Sequence, residues 1–422
     1  MKVSDHPEFE SLMARVEPLA ERFRAAGHLF HLVGGLVRDL SVGRALANDI
    51  DATTDATPIE ITSLLDGLAS VIWDQGARFG TIGARIDGIV YEITTHRTET
   101  YDPGSRQPMV SFEAALDLDL SRRDFTINAM ALSVPDAVIV DPHGGLGDLR
   151  SRQLRTPLDP FVSFSDDPVR MLRAARFLAG FDLEPVDGLE AAMVDLANRL
   201  EIVSAERIRD ELVKLLAVPR PGQGVDLLAR TGVLSRVIPR ADELGDFTFR
   251  VLDRLDSALE VRLAALVDPL VDGAVVPVLQ TLRFSSRDCR SVAGVVDALR
   301  EVRAQLSASD QTVAARRLLH GHGDSTELAL GVLAAELIEA GKDLAPHDAI
   351  AEAVARVRAT EGIDTLNARL SGHDVLAVVG ADAGPMVGVA LEMLTEHRLV
   401  QGPTSAAEAR EVLAKWWAST GA

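Results

Sequence analysis

Two aspartates separated by one isoleucine, Asp49-Ile50-Asp51, offer the most specific chemistry in this sequence. On a strand, side chains alternate, so both carboxylates face one side and Ile50 faces the other. Carboxylates about 7 Å apart along one strand face can bridge divalent cations. Two such ions, roughly 3.5–4 Å apart, are a recurrent device of phosphoryl transfer. Mg²⁺ typically takes one or two carboxylates together with substrate phosphates. The same tripeptide can also be a solvated strand end, so its meaning depends on what accompanies it.

Fifteen residues upstream stands Gly34-Gly35-Leu36-Val37-Arg38-Asp39. Residues 28–33 read as a strand and a short helix follows, so the glycines form the turn between them. Glycine lets backbone N–H groups approach a phosphate, and a helix N-terminus favours anions. Arg38 could add a charge-assisted contact to a triphosphate. A bare Gly-Gly turn is often only a turn; its place ahead of a paired-Asp strand gives it weight. Residues 80–95 read as a hairpin, because Asp87-Gly88 separates TIGARI from IVYEITT as a two-residue primed turn requires. Glu92 lies on the return strand and shares a face with Val90 and Thr94, while Tyr91 and Ile93 face the other way. A Glu among apolar neighbours is unfavourable unless paired or metal-bound, the alternative being an edge strand in water. Glu92 is the candidate third carboxylate.

These segments precede, in order, Arg122-Arg123-Asp124-Phe125-Thr126-Ile127-Asn128-Ala129, Asp141-Pro142-His143-Gly144-Gly145 and Asp167-Pro168-Val169-Arg170. The ordered set closely resembles the bacterial class II CCA-adding enzymes and poly(A) polymerases of the polymerase-beta-like nucleotidyltransferase superfamily. It is dense over residues 30–180, thinner to about 216, and returns in 370–388. The resemblance implies template-independent addition of CCA to the 3′ end of tRNA from CTP and ATP. It assigns two Mg²⁺ ions to Asp49 and Asp51, and the positioning or deprotonation of the attacking 3′-hydroxyl to Glu92. Gly34, Gly35 and Arg38 would engage the triphosphate, and Asp124 the ribose 2′-hydroxyl. Arg123 and Asn128 would line the same pocket, with Arg173 and Arg176 also nucleotide-binding. Residues 97–108 are expected to form the family's flexible loop, associated with the switch from adding C to adding A.

Asp167 and Arg170 stand three apart at a helix start, where the plain reading is a capping aspartate and a surface arginine. Base chemistry allows another reading. Cytosine and adenine each present an exocyclic amino donor beside a ring-nitrogen acceptor. A carboxylate accepts from the first while a guanidinium donates to the second. Uracil and guanine set a carbonyl against the carboxylate, so one Asp–Arg pair can select C and A without a template. Relatives use these positions that way; Asp166 departs from the Glu that many of them carry.

The elements around these residues are legible from local signals. Residues 48–53 read as a short strand, and Pro58 opens a helix in a position where its missing N–H costs nothing. DDPVRMLRAARFLAG (166–180) carries an Asp cap, a Pro in first helical position and a Gly stop. Most of the chain beyond residue 180 has helical periodicity, broken near 219–224, Pro239 and 341–347. The expected fold is α+β: a nucleotidyltransferase head with a small mixed sheet over 1–150, then an all-α neck (151–218), body (219–310) and tail (311–422).

Composition limits the classes further. The chain has 422 residues, 47% hydrophobic and 25% charged, with few aromatics. Its net charge of −20 argues against a general affinity for nucleic acid, although a basic groove can sit on an acidic body. The single cysteine, Cys289, excludes an intrachain disulfide and a cysteine-based zinc site. The N-terminus lacks the apolar stretch of a signal peptide and no eighteen-residue apolar run exists, so a cytoplasmic protein without a membrane partner is expected. No protein partner is implied. His347-Asp348 and His373-Asp374 are read as a helix cap and part of a C-terminal motif rather than as phosphohydrolase ligands, because residues 144–319 contain no histidine. Two other functions stand beside CCA addition: an enzyme of the same class adding only A, only CC or poly(A), and a non-catalytic RNA-binding protein.

Overall fold

The computed structural model describes residues 3–100, 109–112, 115–134, 136–270, 275–362, 366–379 and 384–420. The chain separates into two compact units, Met1–Asp242 and Glu243–Ala422. The first begins with α1 (Phe9–Ala25), β1 (His31–Val33), α2 (Gly35–Val42), β2 (Asp49–Thr54), α3 (Pro58–Leu65) and β3 (Val71–Trp73). It continues through β4 (Thr81–Ile86), β5 (Ile89–Thr95), β6 (Arg97–Thr100), β7 (Met109–Phe112), α4 (Leu116–Ser121), β8 (Ala131–Ser133), β9 (Ile139–Val140) and α5 (Gly145–Ser151). The two-residue strands β10 (Gln153–Leu154) and β11 (Glu184–Pro185) flank α6 (Pro160–Asp166) and α7 (Val169–Phe181). Helices α8 (Leu189–Leu196), α9 (Ala205–Leu216) and α10 (Gly222–Arg230) complete the unit's main elements. Most of the expected loop, residues 101–108, lies outside the described residues.

Seven strands form one sheet in the order β3-β4-β5-β2-β1-β8-β9. It is mixed: β2 and β5 run parallel, and every other pairing in it is antiparallel. The turn between β4 and β5 has positive φ at both Asp87 (49°) and Gly88 (82°), as its sequence requires. Thr57 and Glu60 exchange capping bonds at the start of α3, with Pro58 in its first turn.

Lateral rows explain the sheet's two faces, because residues paired across strands point the same way. Ile72, Ala84, Tyr91 and Ile50 make one row, and Ile82, Ile93 and Ala52 another. Both rows join Leu12, Val16, Leu19 and Phe23 of α1, Leu36, Val37 and Leu40 of α2, and Ile61 and Leu65 of α3 in the main core. The intervening row, Trp73, Gly83, Glu92 and Asp51, therefore faces away from that core. Helix α4 covers one end of this second face, where Leu120 packs with Val33, Ala129 and Ala131.

Two boundaries differ from the sequence reading. Asp167 is the C-cap of α6 and Pro168 the N-cap of α7, so the expected single helix start is a junction of two helices. Helix α7 runs past Gly180 to Phe181, and Asp182, in left-handed conformation, ends it. The glycine that matters to α7 is elsewhere: a Cβ on Gly224 of α10 would stand 2.5 Å from the Ala175 carbonyl oxygen and 2.6 Å from Leu215 Cδ1.

The second unit is helical throughout its described residues. It comprises α11 (Asp246–Arg254), α12 (Leu259–Val267), α13 (Val276–Thr281), α14 (Ser286–Gln305), α15 (Gln311–His322) and α16 (Ser325–Glu339). It ends with α17 (Ala345–Glu361), α18 (Gly372–Val379), α19 (Met386–Gln401) and α20 (Ala406–Thr420). His347 lies within the first turn of α17 rather than at its cap, with Nε2 on the Leu330 carbonyl (3.1 Å) and Nδ1 on Asp348 (3.0 Å). Asp374 exchanges capping bonds with Ser371. No described helix is long and apolar enough to cross a membrane.

Gly224→Ala is expected to cost about 1–3 kcal/mol by overpacking α10 against α7. Gly331→Ala, in α16 with nothing within 4 Å of the added methyl, should gain about 0.5–1 kcal/mol. Urea unfolding of both variants measures this; a Gly224→Ala protein as stable as the parent would contradict the packing.

Candidate active site

The parallel register pairs Asp51 with Glu92 and Asp49 with Val90, so the three carboxylates come from adjacent strands on one face. All three are exposed, and Glu92 is not enclosed by apolar neighbours as the sequence suggested; Val90 and Thr94 are only half-buried. Crowding leaves its mark on two of them. Partial burial pushes the Asp51 carboxyl above its ordinary range, with Arg123 opposing and Asp49 adding to the shift. Glu92 is pushed up by burial and then by Asp51 and Asp49. Carboxylates gathered against a single arginine form a donor set suited to a divalent cation. Among the described residues no three His, Cys, Asp or Glu side chains close a complete cage.

Beside Asp51 opens a cavity of about 430 Å³, and every other predicted site residue except Asp49 and Glu92 lines it. Gly34 supplies its floor. It caps α2 at φ 71° and ψ −136°, a conformation that favours glycine, and a Cβ there would stand 3.5 Å from Arg123 Nη1 and 3.7 Å from Asp51 Oδ2. Arg38 folds back over the same helix start, with Nη2 3.3 Å from where a Gly35 Cβ would be. It is held by Asp39 (2.9 and 3.0 Å) and by Asn128 Oδ1 (2.6 Å). The lining carries six arginines against three aspartates, a positive pocket on an acidic protein.

Buried carboxylates fix these arginines. Asp124 Oδ2 receives Arg173 Nε (2.9 Å) and Nη2 (2.5 Å), and Oδ1 receives Asn128 Nδ2 (3.0 Å) and the Phe125 N–H (2.8 Å). Burial alone would raise the Asp124 carboxyl; Arg173 and the hydrogen bonds outweigh it and hold it at about 2. Glu211 of α9 takes Arg173 (3.3 Å) and Arg176 (2.8 Å). Asp119 of α4, fully buried, takes Arg122 (2.8 Å), Arg123 (3.4 Å) and Thr53 Oγ1 (3.3 Å).

Asp167 and Arg170 both reach the cavity but hold other partners here. Asp167 accepts from Arg207 of α9 (2.8 Å), and Arg170 donates to Ser163 Oγ (2.8 Å) and to the Arg122 carbonyl. Sequence reasoning missed Arg122 and Phe177 in the lining, and Asp119, Arg207 and Glu211 behind it. Phe177 was within reach, since it follows Arg173 by four on the same helix face. Phe181, which Arg38 and Arg44 both stack against (4.3 and 3.8 Å to the ring centre), gave no local signal. Asp141-Pro142-His143-Gly144-Gly145 is structural: Asp141 accepts the N–H groups of Gly145 (2.7 Å) and Leu146 (3.0 Å) that begin α5.

Residues 30–155 match the poly A polymerase head domain family, and residues 180–244 the family described as a probable RNA and SrmB-binding site of polymerase A. The chain is 38% identical over 253 residues to the CCA-adding enzyme of Levilactobacillus brevis, a match that spans 60% of either chain. Against the CCA-adding enzyme of Geobacillus stearothermophilus the identity is 31% over 395 residues, 92% of both chains. The crystal structure of the Bacillus stearothermophilus CCA-adding enzyme in complex with CTP superposes with a TM-score of 0.78 at 27% identity, covering 98% of this chain and 99% of that one.

Arg173 and the hydrogen bonds hold the Asp124 carboxyl down at about 2 in the fold, against about 4 unfolded, so its ionised form stabilises the fold above the unfolded value. That contribution, on the order of 2 kcal/mol, is full at pH 6 and lost as pH falls through about 2. Urea unfolding of the parent and of Asp124→Asn between pH 6 and 2 should show the gap between them shrinking as pH falls. A gap independent of pH would show that the charge contributes nothing.

Proposed function

Because the chain belongs to the CCA-adding enzyme family, we propose that it completes the 3′ end of tRNA with CCA from CTP and ATP, without a template, releasing pyrophosphate. The observation that carries this is the register that sets Asp51 beside Glu92, with Asp49 on the same face, next to a pocket of arginines and a glycine-capped helix. Family membership implies a divalent metal; the finer reading is two Mg²⁺ ions held by Asp49 and Asp51. When bound they would neutralise charge on the triphosphate and on the attacking and leaving oxygens.

The chain's own residues do the rest. The N–H groups at Gly34 and Gly35 and the guanidinium of Arg38 hold the triphosphate at the start of α2. Glu92, level with Asp51 on the adjacent strand, accepts the hydrogen bond or the proton of the 3′-hydroxyl. Asp124, with Arg123 and Asn128 beside it, faces the ribose. Asp167 and Arg170 turn from Arg207 and Ser163 to the pairing edge of the base, and so select C and A. Arg173 and Arg176, anchored by Asp124 and Glu211, give the nucleotide side of α7 its positive charge.

In this reading residues 1–150 are the catalytic head, 151–218 the nucleotide-selecting neck, 219–310 the body and 311–422 the tail, the last two holding tRNA by shape and phosphate contacts. A cytoplasmic location accompanies this reading, since its substrate would be tRNA. Residues 97–108 would act in the change from C to A.

Primer extension on tRNA lacking CCA, CA or A, with each nucleotide separately, tests the reading. Incorporation of C, C and then A is expected; only A, only CC or a poly(A) product would assign one of the narrower activities. Asp51→Ala should lower incorporation at least a thousandfold while tRNA is still bound, and retained turnover would remove the metal assignment. Arg170→Ala should admit U and G alongside C and A. An unchanged nucleotide spectrum would refute base selection by this residue.

A further inference from the structure

One side of the catalytic row has no role in nucleotide binding. Asp51 faces the arginine-lined cavity on its β1 side, where Gly34 and Arg123 stand. On its other side the row continues through Glu92 and Gly83 to Trp73. A Cβ on Gly83 would run into Cε2 and Nε1 of Trp73, so the indole lies across Gly83 and covers it. Gly83 is buried while Trp73 stays partly exposed. The indole, over Gly83, thus sits one strand from Glu92 and two from Asp51, at about 4.8 Å per strand, a span a single nucleotide bridges. Trp73 is one of three tryptophans in the chain, and it stands on a sheet face that the main core does not use.

We infer that the Trp73 indole is the stacking platform for the 3′-terminal nucleotide of the RNA primer, setting its 3′-hydroxyl toward Glu92. Stacking suits this site because every base offers a π-face. The primer end changes with each addition, and the site must accept whatever base stands there. Glycine at 83 is what lets the indole come this close to the neighbouring strand. The incoming nucleotide and the primer then approach the carboxylates from opposite sides, β1 for one and β4 for the other.

The inference rests on the proposed nucleotidyl transfer, and steady-state kinetics separates the two. Wild type and Asp51→Ala come first: if neither incorporates nucleotide, the functional reading fails before Trp73 is questioned. Given an active wild type, Trp73→Ala should raise KM for truncated tRNA about five- to a hundredfold, leaving KM for CTP within about twofold. Trp73→Tyr should restore most of the loss, and Trp73→Leu, which keeps apolar bulk without a π-face, should not. Gly83→Ala, which displaces the indole but leaves it present, should resemble Trp73→Ala. Thermal melting identifies any variant that fails to fold, and Trp73→Leu with Trp73→Tyr then decides. Equal KM for tRNA in wild type and Trp73→Leu, or a parallel rise in KM for CTP, would overturn the inference.

Discussion

The parallel pairing of β2 with β5 is the constraint on which the rest depends. It is the one parallel pairing in the seven-stranded sheet, and it sets Asp51 level with Glu92. Nothing in the acidic residues themselves favours that proximity, since three carboxylates on one face repel. The opposite face supplies the stabilisation. Ile50 against Tyr91 and Ala52 against Ile93 are buried in the main core, and a shift of one residue would turn both pairs to solvent and the acids inward. Apolar burial on one side of the sheet thereby holds unfavourable charge together on the other, where a cation can use it.

The positive half of the site is built by the converse device. Asp119, Asp124 and Glu211 are buried carboxylates that together hold Arg122, Arg123, Arg173 and Arg176. Each buried acid would be costly alone, and each is paired and hydrogen-bonded. The result is a set of guanidiniums whose positions are fixed before a ligand arrives, so little reorganisation is needed on binding. Asp119 also touches Thr53, two residues along β2 from Asp51, and so ties the arginines to the strand that carries Asp49 and Asp51.

What could be read in the sequence was what local chemistry determines. Asp87-Gly88 marked the hairpin, Pro58 the helix, and the alternation of 49–51 and 90–94 the faces of their strands. The juxtaposition of Asp51 with Glu92 was anticipated from the order of motifs, although no local rule gives a parallel register. Partners separated by long stretches of chain were invisible: Arg207 for Asp167, Glu211 for Arg173 and Arg176, Asp119 for Arg123. So was the α6–α7 junction, because Asp167 serves equally as the end of one helix or the start of the next. Trp73 carried no local signal, and it stands out only through its close approach to Gly83 on the neighbouring strand.

Six arginines around one cavity, on a chain of net charge −20, have a kinetic meaning as well as a local one. A polyanion approaching this molecule meets a net negative charge overall and a concentration of positive charge at this cavity. Encounters are thereby sorted by orientation before any contact is made.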